Sequence, residues 1–172
     1  MLSPLLESPW GQTKPNDVDG WGKIKWGITV AEAKAALGEQ ASGPTEVPGR
    51  NDILIERIVI RDFLIEDLHC KVSIQSKRNS EVISAVDILV GDMRDPPFSR
   101  ESAFDSLKKL LIEKYGSPKN EDRKVEGRDV KSLVFWTFPS TAISLRRSEG
   151  RYGYGYVAVY YEAVDKKALD VL

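Results

Sequence analysis

Pro97-Phe98-Ser99-Arg100-Glu101-Ser102-Ala103-Phe104, running on through Leu107, Leu110 and Leu111 to Tyr115-Gly116-Ser117-Pro118, carries the clearest helical signal in the chain. Phe104, Leu107, Leu111 and Tyr115 recur at steps of three and four, and Leu110 widens the stripe, so one face of the helix is apolar. Ser99 or Ser102 supplies an N-terminal cap, and Gly116 followed by Pro118 ends the helix. This segment parts two strand-rich blocks, each of which follows a helix.

The block before it starts at Trp21-Gly22-Lys23-Ile24-Lys25-Trp26-Gly27-Ile28-Thr29. Thr29 and Glu32 have the spacing of a capping box, which predicts a short helix over Val30–Leu37 closed by Gly38. Residues 43–49 are rich in Gly and Pro and read as a loop. Ile53–Phe63 is rich in Ile, Leu and Val, and Leu68, Cys70, Val72 and Ile74 alternate. After a polar turn at Lys77–Glu81, the residues Val82, Val86, Ile88 and Val90 share one parity. Residues 91–97 end the block.

Downstream of the long helix, Lys119–Lys131 reads as a mixed-charge loop containing Gly127. Leu133–Phe138 is a strand, and Pro139-Ser140 a break. Thr141, Ile143 and Leu145 alternate in the next strand, Arg146–Gly155 is a polar turn, and Tyr156–Glu162 is the last strand. Residues 1–20 read as an irregular arm, and Val164–Leu172 as a tail with a helical turn or two. The expected fold class is therefore α+β. Two helix-plus-three-strand units, 21–95 and 96–162, give an antiparallel sheet with both helices packed on one face, a repeat of plan rather than of residues.

With 172 residues, 41% hydrophobic and 30% charged, the chain has globular values. Lys+Arg 25 against Asp+Glu 26 leaves a formal charge of −1, which supplies no global field for nucleic acid or an anionic membrane. No apolar run has the length of a bilayer span. The first residues lack a basic start and a sustained apolar run, which favours the cytoplasm; a periplasmic location follows if a leader was removed. A single cysteine, Cys70, allows no internal disulfide.

Trp26-Gly27-Ile28-Thr29-Val30-Ala31-Glu32-Ala33, ending in Leu37-Gly38, resembles the helix-plus-hairpin unit of the β-lactamase-inhibitor-protein-like fold, which the outer-membrane assembly lipoproteins of the SmpA/OmlA type share. The later segments Lys114–Pro118, Trp136, Ser140–Leu145 and Val159–Tyr161 resemble uncharacterised bacterial proteins of similar plan. The resemblance implies a fold and, loosely, protein–protein binding. It carries over no catalytic residue.

The residues suggest no catalytic constellation, cofactor or metal site. His69 and Cys70 are neighbours on a strand and so point to opposite faces, which prevents a shared dyad. Asp17-Val18-Asp19-Gly20 resembles a calcium loop, but Trp21 stands at its fifth position and no Glu at its twelfth, so a turn is expected. Gly20-Trp21-Gly22 and Gly153-Tyr154-Gly155 lack the spacing and context of a phosphate loop. Arg146-Arg147-Ser148-Glu149-Gly150-Arg151-Tyr152-Gly153-Tyr154-Gly155-Tyr156 is the most suggestive stretch, because arginine interleaved with tyrosine is enriched at protein interfaces. Its bland reading is a hairpin that turns on its glycines. Arg147, Arg151, Tyr152 and Tyr154 are the candidate binding residues. The expected function is a binding or adaptor module with a protein partner. The alternatives are a small-molecule or enzymatic pocket between sheet and helices, and a single-stranded nucleic-acid surface, the latter disfavoured by the charge balance.

Overall fold

A computed structural model of the chain describes residues 14–42, 47–48, 53–91, 99–150 and 153–165. The elements in order are β1 (Gly20–Trp21), β2 (Ile24–Lys25), α1 (Val30–Leu37), β3 (Val47–Pro48), β4 (Leu54–Ile65), β5 (Leu68–Lys77), β6 (Ile83–Val90), α2 (Arg100–Tyr115), β7 (Asn120–Glu126), β8 (Asp129–Thr137), β9 (Thr141–Glu149) and β10 (Gly155–Ala163). β1 and β2 pair with each other. The rest form one antiparallel sheet in the order β3-β4-β5-β6-β10-β9-β8-β7, with seven full strands and the two-residue β3 at one edge.

This corrects the expected pairing of two helix-plus-three-strand units. Among the described residues 53% lie in strands and 20% in helices, so the molecule is a broad sheet carrying two short helices. The second block has four strands, because Asn120–Glu126 is a strand and not part of a loop. Every residue of β7 is exposed, so no buried face imposes a hydrophobic alternation and the sequence reads as a mixed-charge loop. The turn that joins it to β8 is a two-residue connection, Gly127–Arg128, with Gly127 at φ 63. The expected turn Arg146–Gly155 is likewise partly sheet: β9 extends to Glu149 and β10 starts at Gly155. Within the loop expected over 43–49, Val47–Pro48 forms β3. The helical turn expected after Val164 lies outside the described residues beyond Asp165.

Each strand's parity sets its buried side. Val72 on β5 faces Ile88 on β6, which faces Val159 on β10, which faces Leu145 on β9, which faces Val134 on β8. All five belong to one core cluster with Val30 and Ala33 of α1 and Phe104, Leu107, Leu111 and Tyr115 of α2. The parity of β6 shifts at its start. A register irregularity between Gln75 and Ser76 buries Ile83 and leaves Val82 half-exposed outside the strand.

Local chemistry fixes the helix ends. The Thr29 hydroxyl accepts the Glu32 N–H at 3.2 Å while the Glu32 carboxylate accepts the Thr29 N–H at 2.7 Å, which completes the capping box. Ser99 caps α2 by accepting the Ser102 N–H at 3.1 Å. At the other end, the Trp136 indole donates to the Gly116 carbonyl at 2.8 Å, which ties the helix terminus to β8. The segment before β1 is pinned through Asp17, whose carboxylate accepts the Ser140 N–H and hydroxyl at 2.8 and 2.7 Å.

Leu107 is buried where α2 lies on β9 and β10. Leu107→Ala is expected to lower unfolding stability by about 2–5 kcal/mol, read as a reduced urea midpoint at unchanged slope.

Candidate functional site

Arg146 and Arg147 are adjacent on β9, so the pleat sends them to opposite faces. Arg147 points to the helix side and is only 7% exposed. Its Nε donates to Glu149 at 3.1 Å and its Nη1 lies 3.3 Å from Glu101 on α2. Burial works to lower the guanidinium pKa, but the bonds to Glu149 and Glu101 outweigh it and leave the pKa above its ordinary value. Arg147 is thus a buried clamp between sheet and helix. Tyr154 immediately precedes β10, its carbonyl accepting the Gly150 N–H at 2.7 Å, and is 80% exposed. Arg151 and Tyr152 lie outside the described residues. The turn is anchored to α2 by Arg100, which donates to the Gly153 carbonyl at 2.8 Å. Arg147 and Tyr154 therefore do not form a common surface.

A cleft of about 300 Å³ runs between α2 and the β7–β8 hairpin, with Phe104 and Val134 among its lining residues. Charged groups bridge it: Lys108 to Glu121 at 2.6 Å, Arg147 to Glu101 at 3.3 Å, and Arg123 to Glu101 at 4.0 Å. These groups neutralise one another across the cleft.

The opposite face of the sheet offers a different surface. Register places Lys124, Lys131, Ser148 and Tyr156 in one cross-strand row, and Asp122, Leu133, Arg146, Ala158 and Leu89 in the next. A third row contains Phe135, Ser144 and Tyr160. Arg146 lies over the Tyr160 ring, 4.9 Å from its centroid, and donates to Ser144 at 3.2 Å, which holds the guanidinium against the sheet. Tyr156 and Leu89 keep 38% and 40% of their surface in solvent, so this part of the face is open. A trough of about 420 Å³ is lined there by Lys124, Lys131, Leu133, Arg146, Ser148 and Tyr156. Apart from Arg146, Ser148 and Tyr156, which lie within the suggestive stretch, the sequence reading named none of these residues as binding candidates. Their one signal was the strict parity of β10, where Tyr156 and Tyr160 alternate with Val157, Val159 and Tyr161.

Among the described residues no three His, Cys, Asp or Glu side chains cluster to hold a metal ion, and no helix is long and apolar enough to cross a membrane. Asp19 of the calcium-like stretch pairs with Lys25. Cys70 is buried in the core, and His69 is exposed on the other face. Burial pushes the Cys70 thiol up to about 11. No protein-family model, no curated protein and no solved structure matches the chain.

Arg147→Ala removes two charge-assisted bonds and is expected to cost about 2–3 kcal/mol in urea unfolding, with Arg147→Met recovering part of the loss through packing. Cys70 provides a pH test. Its folded thiol titrates at about 11, above the unfolded value of about 8.5, so the folded state holds the extra proton between these values. Its contribution is fully present below about 8.5 and is lost as pH rises to about 11. Urea melts of wild type and Cys70→Ala are expected to diverge over that window, wild type losing more stability. Native protein at pH 8 is expected to react slowly with a thiol reagent.

Proposed function

We propose that the chain is a non-catalytic binding module that acts through protein–protein contact on the open sheet face over β6 to β10. The observation that carries this reading is the cross-strand assembly of Tyr156, Leu89, Leu133 and Phe135 around Arg146, with Lys124 and Lys131 at the margin. Aromatic, leucine and arginine groups held rigidly on a sheet give contact area at little entropic cost, and lysines suit a rim facing acidic groups of a partner. The resemblance of the Trp26–Leu37 segment to a protein-binding fold agrees with this. Nucleic acid fits less well, because the three cations Lys124, Lys131 and Arg146 stand beside Asp122 in a chain of net charge −1. A small-molecule or enzymatic site in the α2 cleft fits less well too, since Lys108 is engaged with Glu121 and Arg147 with Glu101.

The test is affinity capture from lysate followed by measured affinity for the captured protein. Arg146→Ala/Tyr156→Ala is expected to weaken binding at least tenfold, with Tyr154→Ala close to wild type. A partner lost with Tyr154→Ala and kept by the double variant would move the contact to the turn. Failure to capture any protein, with retention on single-stranded nucleic acid that falls with salt, would replace the reading by the nucleic-acid one.

A further inference from the structure

The sheet has two edges of different kinds. At one end, among the described residues, β3 contributes Val47 and Pro48. At the other, β7 is seven residues long and exposed throughout. The hydrogen-bond alternation can be followed to this edge. Gly150 N–H donates to Tyr154 O at 2.7 Å and Phe138 N–H to Thr141 O at 2.8 Å, so even-numbered residues of β9 bond to β10 and odd-numbered ones to β8. Carried through β8, the pattern has even-numbered residues of β7 bonding to β8, and Glu121, Arg123 and Val125 directing their N–H and C=O groups away from the sheet.

The side chains of this edge have an ordered sign pattern: Glu121 and Asp122 are followed by Arg123 and Lys124. Glu121 is engaged with Lys108, and Arg123 lies near Glu101. Asp122 and Lys124 point to the open face and make no ion pair among the described residues. A strand whose acids precede its bases is complementary to itself only when the second strand runs antiparallel.

We propose that β7 is a homotypic pairing edge, on which β7 of a second copy docks antiparallel about a two-fold axis perpendicular to the sheet at Arg123. This register sets Asp122 opposite Lys124 of the second copy, twice, in the non-hydrogen-bonded positions where side chains approach most closely. Glu121 and Val125 exchange backbone bonds across the axis, as do the two Arg123 residues. The guanidinium groups of those arginines are each near a Glu101 carboxylate. Shifting the centre by one residue puts Asp122 against Asp122 or Lys124 against Lys124. The mixed charges thus repel apolar strands and misregistered copies while accepting this one alignment. The axis keeps both open faces on the same side, so the dimer presents two binding faces on one continuous sheet. The pairing itself does not rest on the function proposed above.

Sedimentation velocity over a range of concentrations tests the register. Wild type is expected to shift toward twice the monomer mass as concentration rises, less so at high salt. Asp122→Lys and Lys124→Asp are each expected to weaken association at least tenfold. Mixing those two variants in equal amounts restores a dimer, and so does the double swap within one chain. Val125→Pro removes an outward N–H without touching the ladder to β8 and abolishes pairing. Far-UV circular dichroism checks that each variant folds. A wild type that stays monomeric throughout, or association that survives Asp122→Lys and Val125→Pro, would overturn the proposal.

Discussion

The ladder between β6 and β10 is where the two halves of the chain become one structure. Val86 faces Tyr161 and Ile88 faces Val159 across it. Every other full strand in the sheet pairs with a neighbour adjacent in sequence, joined by a tight turn or a short break. Those local hairpins have small loop-closure costs, whereas β6 meets β10 only after α2 and three further strands have intervened. α2 lies across β9 and β10 and offsets that cost by burying Phe104, Leu107 and Leu111 in a core shared with β5 and β6. The Trp136 indole on Gly116 and the Tyr115 hydroxyl 3.3 Å from that of Tyr161 then fix where the helix ends relative to the sheet.

Once the sheet is continuous, the pleat partitions the chemistry. On the helix side, Arg147 meets Glu149 and Glu101. On the other side, Arg146 lies over the Tyr160 ring. Two adjacent arginines thus have unrelated surroundings, one clamped between sheet and helix and one on the open face, and only the strand's orientation separates them. The same rule separates Cys70 from His69.

β7 shows the opposite situation. It is held by β8 on one side and by ion pairs to α2 beneath, with no apolar face of its own. Such a strand adds little hydrophobic stability and presents charge to solvent, which suits an edge that must avoid indiscriminate pairing. Its exposure is also why it could not be seen beforehand. Binary patterning reports burial, and β7 has none.

The amino-acid sequence by itself determined the local events. These are the capping box of Thr29 and Glu32, the apolar stripe of α2 with its stop at Gly116, and the alternation of Leu68, Cys70, Val72 and Ile74; the cap of α2 was narrowed to Ser99 or Ser102. Each depends on residues within a few positions of one another, so periodicity and capping chemistry suffice. Tertiary structure decided the rest: the count of strands, the shift that buries Ile83 in place of Val82, and the true extents of β9 and β10. It also decided which polar residues meet. The Arg/Tyr stretch was legible as unusual, yet the open face draws on β6, β8, β9 and β10, whose side chains become neighbours only once the strands pair in register. Between β6 and β10 the register is set by pairing of distant segments, and no local pattern of residues encodes it.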